Sequence, residues 1–220
     1  MQWPARHRGP ENSAALAQYR RRARYYDQEL ALFEPLREQA IAALKLRPGE
    51  TVLDVGCGTG LSFGLLERQV GAQGHIVGIE QCPEMMARAD ARVQRSHWHN
   101  VELVCAPAAS APIATQADAA LFHFVHDILR EDAALENVLE HLKSGARVVA
   151  TGLQWAPLWM WPANGFVLAA ALYSVTALDG LSEPWDKLAR RLHNVSHDDA
   201  LLGGIFILSG RYVPAADTRH

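Results

Sequence analysis

Residues 52–60 read Val-Leu-Asp-Val-Gly-Cys-Gly-Thr-Gly, and this stretch constrains the fold more than any other. Val52 to Val55 is a short apolar run, the pattern of a strand buried in a parallel sheet. It carries one acidic residue, Asp54, near its carboxyl end. Gly56, Gly58 and Gly60 follow at every second position. Glycine tolerates φ > 0 and lets the backbone come close to a ligand. A helix is expected to start at Leu61–Ser62. Strand, glycine turn and helix N-terminus form the cradle in which open α/β sheets hold nucleotides.

The details of the cradle narrow its ligand. A dinucleotide fingerprint needs G-x-G-x-x-G, but the last position holds Leu61 when counted from Gly56 and Phe63 when counted from Gly58. No Gly-Lys-Ser/Thr follows, so a phosphate-binding P-loop is excluded. Asp54 would repel a pyrophosphate and would suit a cationic amine. The loop therefore fits an adenosine ligand with an ammonium group and no phosphate. The run D-V-G-C-G-T-G, Asp54 to Gly60, resembles the first motif of the class I S-adenosylmethionine-dependent methyltransferases.

The rest of the chain alternates in the same style. Pro35 opens a helix over 34–46, and Arg47-Pro48-Gly49 ends it. Strands are expected at 52–55, 75–80, 101–105, 118–124 and 147–151, with helices over 61–70, 83–95 and 132–142 between them. A weak strand at 192–195 and a clear one at 205–209 follow. This rhythm predicts an α/β fold with a doubly wound, mostly parallel sheet and helices on both faces. The resemblance implies seven strands, the last antiparallel. The implied organisation is a helical cap over 1–46, a cofactor-binding core over 47–152, an aromatic-rich substrate insert over 153–190 and closing strands over 191–220.

Ligands sit at the carboxyl ends of strands in such sheets. The resemblance implies that Asp54, Gly56, Cys57, Gly58, Thr59 and Gly60 hold the methionine end of S-adenosylmethionine. Glu80, ending the second strand, would accept the ribose hydroxyls, and Gln81 and Met85 would pack the adenine. After the third strand the family often has an Asp for the adenine amino group. Here Pro107 stands at that place, which leaves backbone groups of Ala106 and Ala108 or apolar packing to serve. Tyr19 and Tyr26, in a helix before the sheet, are further cofactor candidates. Tyr26-Asp27 resembles a pair near the methionine end in related enzymes. Phe122 and His123 close the site from the fourth strand. His123 and His126 are the candidates for a general base, because histidine titrates near neutrality. Tyr26 is a third catalytic candidate.

The insert carries four of the six tryptophans. Trp155, Trp159 and Tyr173 are the expected substrate contacts, and a cationic amine acceptor could use the tryptophans as an aromatic cage. The same aromatics would serve equally as sheet cover or a homodimer face. His193 and His197 lie near Asp198 and Asp199, but no H-x-x-H or H-E-x-x-H spacing appears, so no metal is expected. Cys57, Cys82 and Cys105 have no C-x-x-C spacing. The net charge of −3 gives no general basic field for nucleic acid. Arg20, Arg21, Arg22 and Arg24 form a local basic cluster that would let the N-terminus touch an anionic membrane. No apolar leader core is present, so a cytoplasmic protein is expected. The reading is a methyltransferase acting on a small, fairly apolar acceptor, with S-adenosylhomocysteine as product. The alternatives are methylation of a lipid headgroup or quinone at a membrane surface, and a non-catalytic cofactor-binding protein.

Overall fold

The computed structural model describes residues 33–157, 159–160, 164–165, 167–168 and 181–214. Its first helix, α1 (Glu34–Ala43), has proline in the first turn and buries Leu36, Ala40 and Ile41 at helical spacing. Seven strands follow: β1 (Thr51–Val55), β2 (His75–Ile79), β3 (Val101–Val104), β4 (Ala117–His123), β5 (Leu142–Leu153), β6 (His193–Ala200) and β7 (Ile205–Arg211). Between them lie α2 (Phe63–Val70), α3 (Pro83–Ser96), α4 (His126–Arg130), α5 (Asp132–Glu140) and α6 (Asp186–Ala189).

The strands form one sheet in the order β3-β2-β1-β4-β5-β7-β6. The first five run parallel to one another, and β7 runs antiparallel to both β5 and β6. The chain winds outward from β1 in both directions, so β1 and β4 flank the point where strand order reverses. This is the doubly wound, mostly parallel seven-stranded sheet expected from the sequence.

The inner strands alternate their side chains between two cores. Val52, Ile76, Ala119, Leu121 and Val149 pack with α1, α2 and α3. Leu53, Val77, Phe122, Val148, Ala150 and Phe206 pack with α4, α5 and α6. Burial on both faces explains why these strands read as continuous apolar runs.

Several boundaries differ from expectation. Strand β5 begins at Leu142 rather than Arg147, so Lys143-Ser144-Gly145 lies inside it and not at a helix stop. Gly145 takes φ +80, and the pairing with β4 shifts register between Ala117 and Ala119. Strand β6 extends to Ala200, and nearly all of it is exposed at the sheet edge, which removes the apolar alternation that marks a strand. The short helix α4 was not anticipated, since five residues are too few for periodicity to register.

Gly152 shows how tightly the end of β5 is packed. A Cβ there would lie 2.8 Å from His126 Cε1 and 2.9 Å from Phe206 Cε1, both on buried rings. Gly152→Ala is expected to lower stability by about 1–3 kcal/mol through overpacking. Chemical denaturation checks this, and an unchanged midpoint would mean that the rings have room to move.

Candidate functional site

The glycine turn after β1 is held by its neighbour strand. The N–H groups of Gly56 and Cys57 both donate to the Ile79 carbonyl at the end of β2, at 2.8 and 2.9 Å. Gly56, Gly58 and Gly60 adopt φ of +72, +58 and +75, where side-chain-bearing residues are strained. Glu80 then ties the turn to the next helix. One carboxylate oxygen accepts the Gly58 N–H at 3.1 Å, and the other accepts the Cys82 N–H, at the head of α3, at 2.7 Å. Burial pushes the Glu80 carboxyl up, while these backbone N–H groups pull it back. Backbone donors from Gly58, Gln81 and Cys82 occupy only part of a carboxylate's acceptor capacity, so Glu80 can still receive a hydroxyl.

On the α1 side of the sheet, polar groups from four elements converge. Asp54 at the end of β1, His123 at the end of β4, Arg37 on α1 and the loop residues Gly56 to Thr59 line a cavity of about 30 Å³. Three buried side-chain atoms on its walls lack a hydrogen-bond partner: Arg37 Nε, Asp54 Oδ2 and His123 Nε2. Orphaned buried polar atoms are rare and costly in native folds, about 1–3 kcal/mol each, and their clustering marks a place built for a polar ligand. Arg37 also pairs with Glu34 one turn earlier.

Burial drives the titration of this cluster. Desolvation pushes the Asp54 carboxyl up to about 7; the Arg37 charge opposes this and the Glu80 charge adds to it. Desolvation, helped by Arg37, pushes the His123 imidazole down to about 3, so it stays neutral. Between about pH 4 and 7 the folded chain keeps a proton on Asp54 that an unfolded chain loses, so this group's contribution to stability falls as pH rises through that window. For His123 the sign is opposite: its contribution falls as pH drops from about 6.5 to 3, where only the unfolded chain gains the proton. His123 Nδ1 shares a 2.6 Å hydrogen bond with Thr151 Oγ1 on β5.

The structure separates the two candidate base histidines. His126 lies at the start of α4, on the opposite face of the sheet from His123, beside Gly152 and Phe206. Its Nε2 is 2.8 Å from the Leu153 carbonyl, which can only accept, so that nitrogen carries the proton. Burial pushes its pKa down as well. Phe122, expected beside His123 in the cofactor site, is instead fully buried in the α4–α5 core. The strand alternation that aims His123 at the cavity aims its neighbour away.

The remaining candidates fall in several places. Cys57 and Thr59 are buried within the turn, and the Thr59 carbonyl accepts Arg92 Nε at 3.0 Å. Met85 is buried on α3, while Gln81 just before it is half-buried. The Ala106 N–H donates to the Val104 carbonyl, and the Ala108 carbonyl accepts Asn137 Nδ2 at 2.8 Å. The Ala106 N–H and the Ala108 carbonyl thus already have internal partners, and Pro107 is exposed between these residues. Trp155 packs against the small core of Leu36, Leu153, Leu181 and Ile205, whereas Trp159 is 76% exposed. Tyr19, Tyr26 and Tyr173 lie outside the described residues. Sequence reasoning missed Arg37 and Thr151. Arg37 left one faint signal: it stands next to Leu36 on the apolar stripe, three and four residues before Ala40 and Ile41.

The donor set suits an amino-acid tail joined to a nucleoside. A guanidinium (Arg37) would suit a carboxylate, a carboxyl (Asp54) an ammonium, and the free acceptor capacity of Glu80 a hydroxyl.

Known proteins resemble this chain in sequence and in fold. Residues 52–145 match the family described as "Methyltransferase domain". The chain is 31% identical over 122 residues to an arsenite methyltransferase of Halobacterium salinarum, covering 54% of this chain and 31% of that protein. It is 36% identical over 80 residues to a 2-phytyl-1,4-naphtoquinone methyltransferase of Thermosynechococcus vestitus, covering 36% of this chain and 35% of that protein. The matched region thus spans about a third of the length of these relatives. In fold, the chain resembles the geranyl diphosphate C-methyltransferase of Streptomyces coelicolor, solved with S-adenosyl-L-homocysteine, at a TM-score of 0.63 and 15% identity, over 82% of this chain and 76% of that one. Residues 52–145 are thus similar in sequence to a methyltransferase domain, and most of the chain resembles a solved methyltransferase in fold.

Proposed function

We propose that this chain transfers a methyl group from S-adenosylmethionine to a small, largely apolar acceptor by in-line displacement. The observation that carries the reading is the convergence of three buried polar groups with unused atoms (Arg37, Asp54, His123) at the carboxyl ends of β1 and β4. In this reading Arg37 binds the cofactor's α-carboxylate and Asp54 its α-ammonium. His123 contributes a polar contact from the same wall. Glu80 receives the ribose hydroxyls while fixing the turn through Gly58. When bound, the cofactor supplies a sulfonium-activated methyl group. The protein then needs chiefly to hold donor and acceptor in line, an effect that can reach ~7–11 kcal/mol.

Neither histidine is well suited to remove a proton from the acceptor. His123, pushed down to about 3, has little driving force as a base near neutral pH. His126 faces the other side of the sheet and holds the end of β5 through the Leu153 carbonyl. In this reading His123 binds and His126 positions. A small acceptor is supported by the apolar surroundings of Trp155 and by the acceptors named for the relatives, arsenite and a naphthoquinone.

Two outcomes test the cofactor site. Asp54 must lose its proton to pair with an ammonium, so affinity for S-adenosylhomocysteine is expected to rise with pH, approaching ten-fold per unit below pH 6 and levelling off above about 7.5. Asp54→Asn should bind weakly with no such slope. Calorimetry across this range reads both, and a flat profile in the unmodified protein would separate Asp54 from the ligand. Gly58→Val should weaken binding by at least about 100-fold, because a β-branched residue resists φ +58 at the point where the backbone donates to Glu80. Intact affinity in a folded Gly58→Val protein would show that the turn does not contact the cofactor.

A further inference from the structure

A larger cavity, about 540 Å³, opens at the carboxyl end of β5 beside β6. It lies within the size range of small-molecule sites, ~300–1,000 Å³. Gln154, Trp155, Glu183, Trp185, His197 and Asp199 line it. None of these residues belongs to the cofactor cradle. His197 and Asp199 stand on the edge strand, four places from β1 in the sheet, or ~19 Å at the usual strand spacing.

The side chains of this cavity are ordered by one buried amide. Gln154 Nε2 donates to Asp199 Oδ1 at 2.6 Å and to the Gly203 carbonyl at 3.2 Å. Its oxygen accepts Trp185 Nε1 at 3.4 Å and lies 3.3 Å from His197 Nε2. An amide oxygen only accepts, so His197 carries its proton on Nε2, and in the neutral ring Nδ1 presents a lone pair. That lone pair lies 3.8 Å from Asp199 Oδ1, another acceptor. Two acceptors at this distance leave a place for an N–H donor to serve both. Trp185 also packs beside the His197 ring, with centroids 4.8 Å apart.

The charge of the walls has one sign. Glu183 and Asp199 supply two carboxylates, and among the described residues no lysine or arginine lines the cavity. Among the described residues neither carboxylate pairs with Lys or Arg. Two indoles stand beside these acids, and indole faces favour cations.

We propose that this cavity binds a protonated amine, held by Asp199 and Glu183, with the bare His197 Nδ1 taking a second N–H and the two indoles flanking the cation. The distance from β1 makes the ammonium an anchor and not the reacting atom. That the anchored molecule is the methyl acceptor rests on the function proposed above, whereas its binding does not.

Benzylammonium and benzyl alcohol, nearly equal in shape, test this without cofactor present. Tryptophan indole N–H signals in the full-length protein report binding, with the Trp155 and Trp185 signals identified by substitution to Phe. Benzylammonium is expected to shift both signals and to bind at least about ten-fold tighter than the alcohol, the effect of one good charge contact. The double variant D199N/E183Q should lose that preference while binding S-adenosylhomocysteine as before. Should D199N disturb the Gln154 network, E183Q alone, on an exposed residue, should still weaken benzylammonium by about three-fold. Equal affinity for the two probes, or unchanged benzylammonium binding in the variants, would overturn the proposal. Loss of S-adenosylhomocysteine binding alone would strike the methyl-transfer reading and leave this one standing.

Discussion

The structure turns on a carboxyl group buried where β1 ends. Asp54 sits at the strand-order reversal, walled by α1 and the glycine turn, with one oxygen unsatisfied. A carboxyl displaced from 3.8 to about 7 disfavours its ionised form by about 4 kcal/mol. Arg37 and His123 add two more unsatisfied atoms beside it. No fold gathers such groups for stability. The sheet tolerates them because the cores on both its faces are otherwise apolar and closely packed. The cost falls at one spot, and a zwitterionic ligand tail would relieve it.

The sheet topology explains how these groups meet. Asp54 is level with Leu121 on the neighbouring parallel strand, and His123 stands two residues farther along it, so both project to the α1 side, His123 one pleat repeat nearer the strand's carboxyl end. Thr151, paired with His123 across β4 and β5, continues the row. The other face carries the complementary structure: His126, Gly152 and Phe206 pack beneath α4, and farther out the antiparallel β7 and β6 bring His197 and Asp199 near Gln154. One edge of the sheet thus presents two environments. A tight cavity of mixed charge lies over β1 and β4, and a wider acidic one lined with indoles lies toward β6.

Legibility followed the range of the interactions. Asp54, the glycine turn and Glu80 could be placed at the strand ends from a few residues, because strand, turn and helix start are local. The doubly wound, mostly parallel character of the sheet was readable through the alternation of elements, and its seven strands through the resemblance of the first motif. Arg37 was not, since its part in the site arises only when α1 lies across β1 and β4, and an arginine on an apolar stripe has no local signature of burial. His123 and His126 looked alike in Phe-His-Phe-Val-His-Asp. Only the strand end at His123 and the helix start at His126 send them to opposite faces. Strand β6 was faint because an exposed edge strand carries polar residues on both sides. The 154–185 wall could not be resolved beyond its tryptophans, since Gln154 gains its meaning from partners more than 30 residues away.

The central claim, that Asp54 is held uncharged by burial until an ammonium arrives, is tested most directly by following its own titration. Carboxyl-carbon NMR of ¹³C-Asp-labelled protein, with Asp54 identified through Asp54→Asn, reads this with and without saturating S-adenosylhomocysteine. The account predicts a midpoint near 7 in the free protein, dropping by two units or more, to about 5 or below, once the ligand is bound. An ordinary carboxylate midpoint near 4 in the free protein, or a midpoint the ligand does not move, would contradict it.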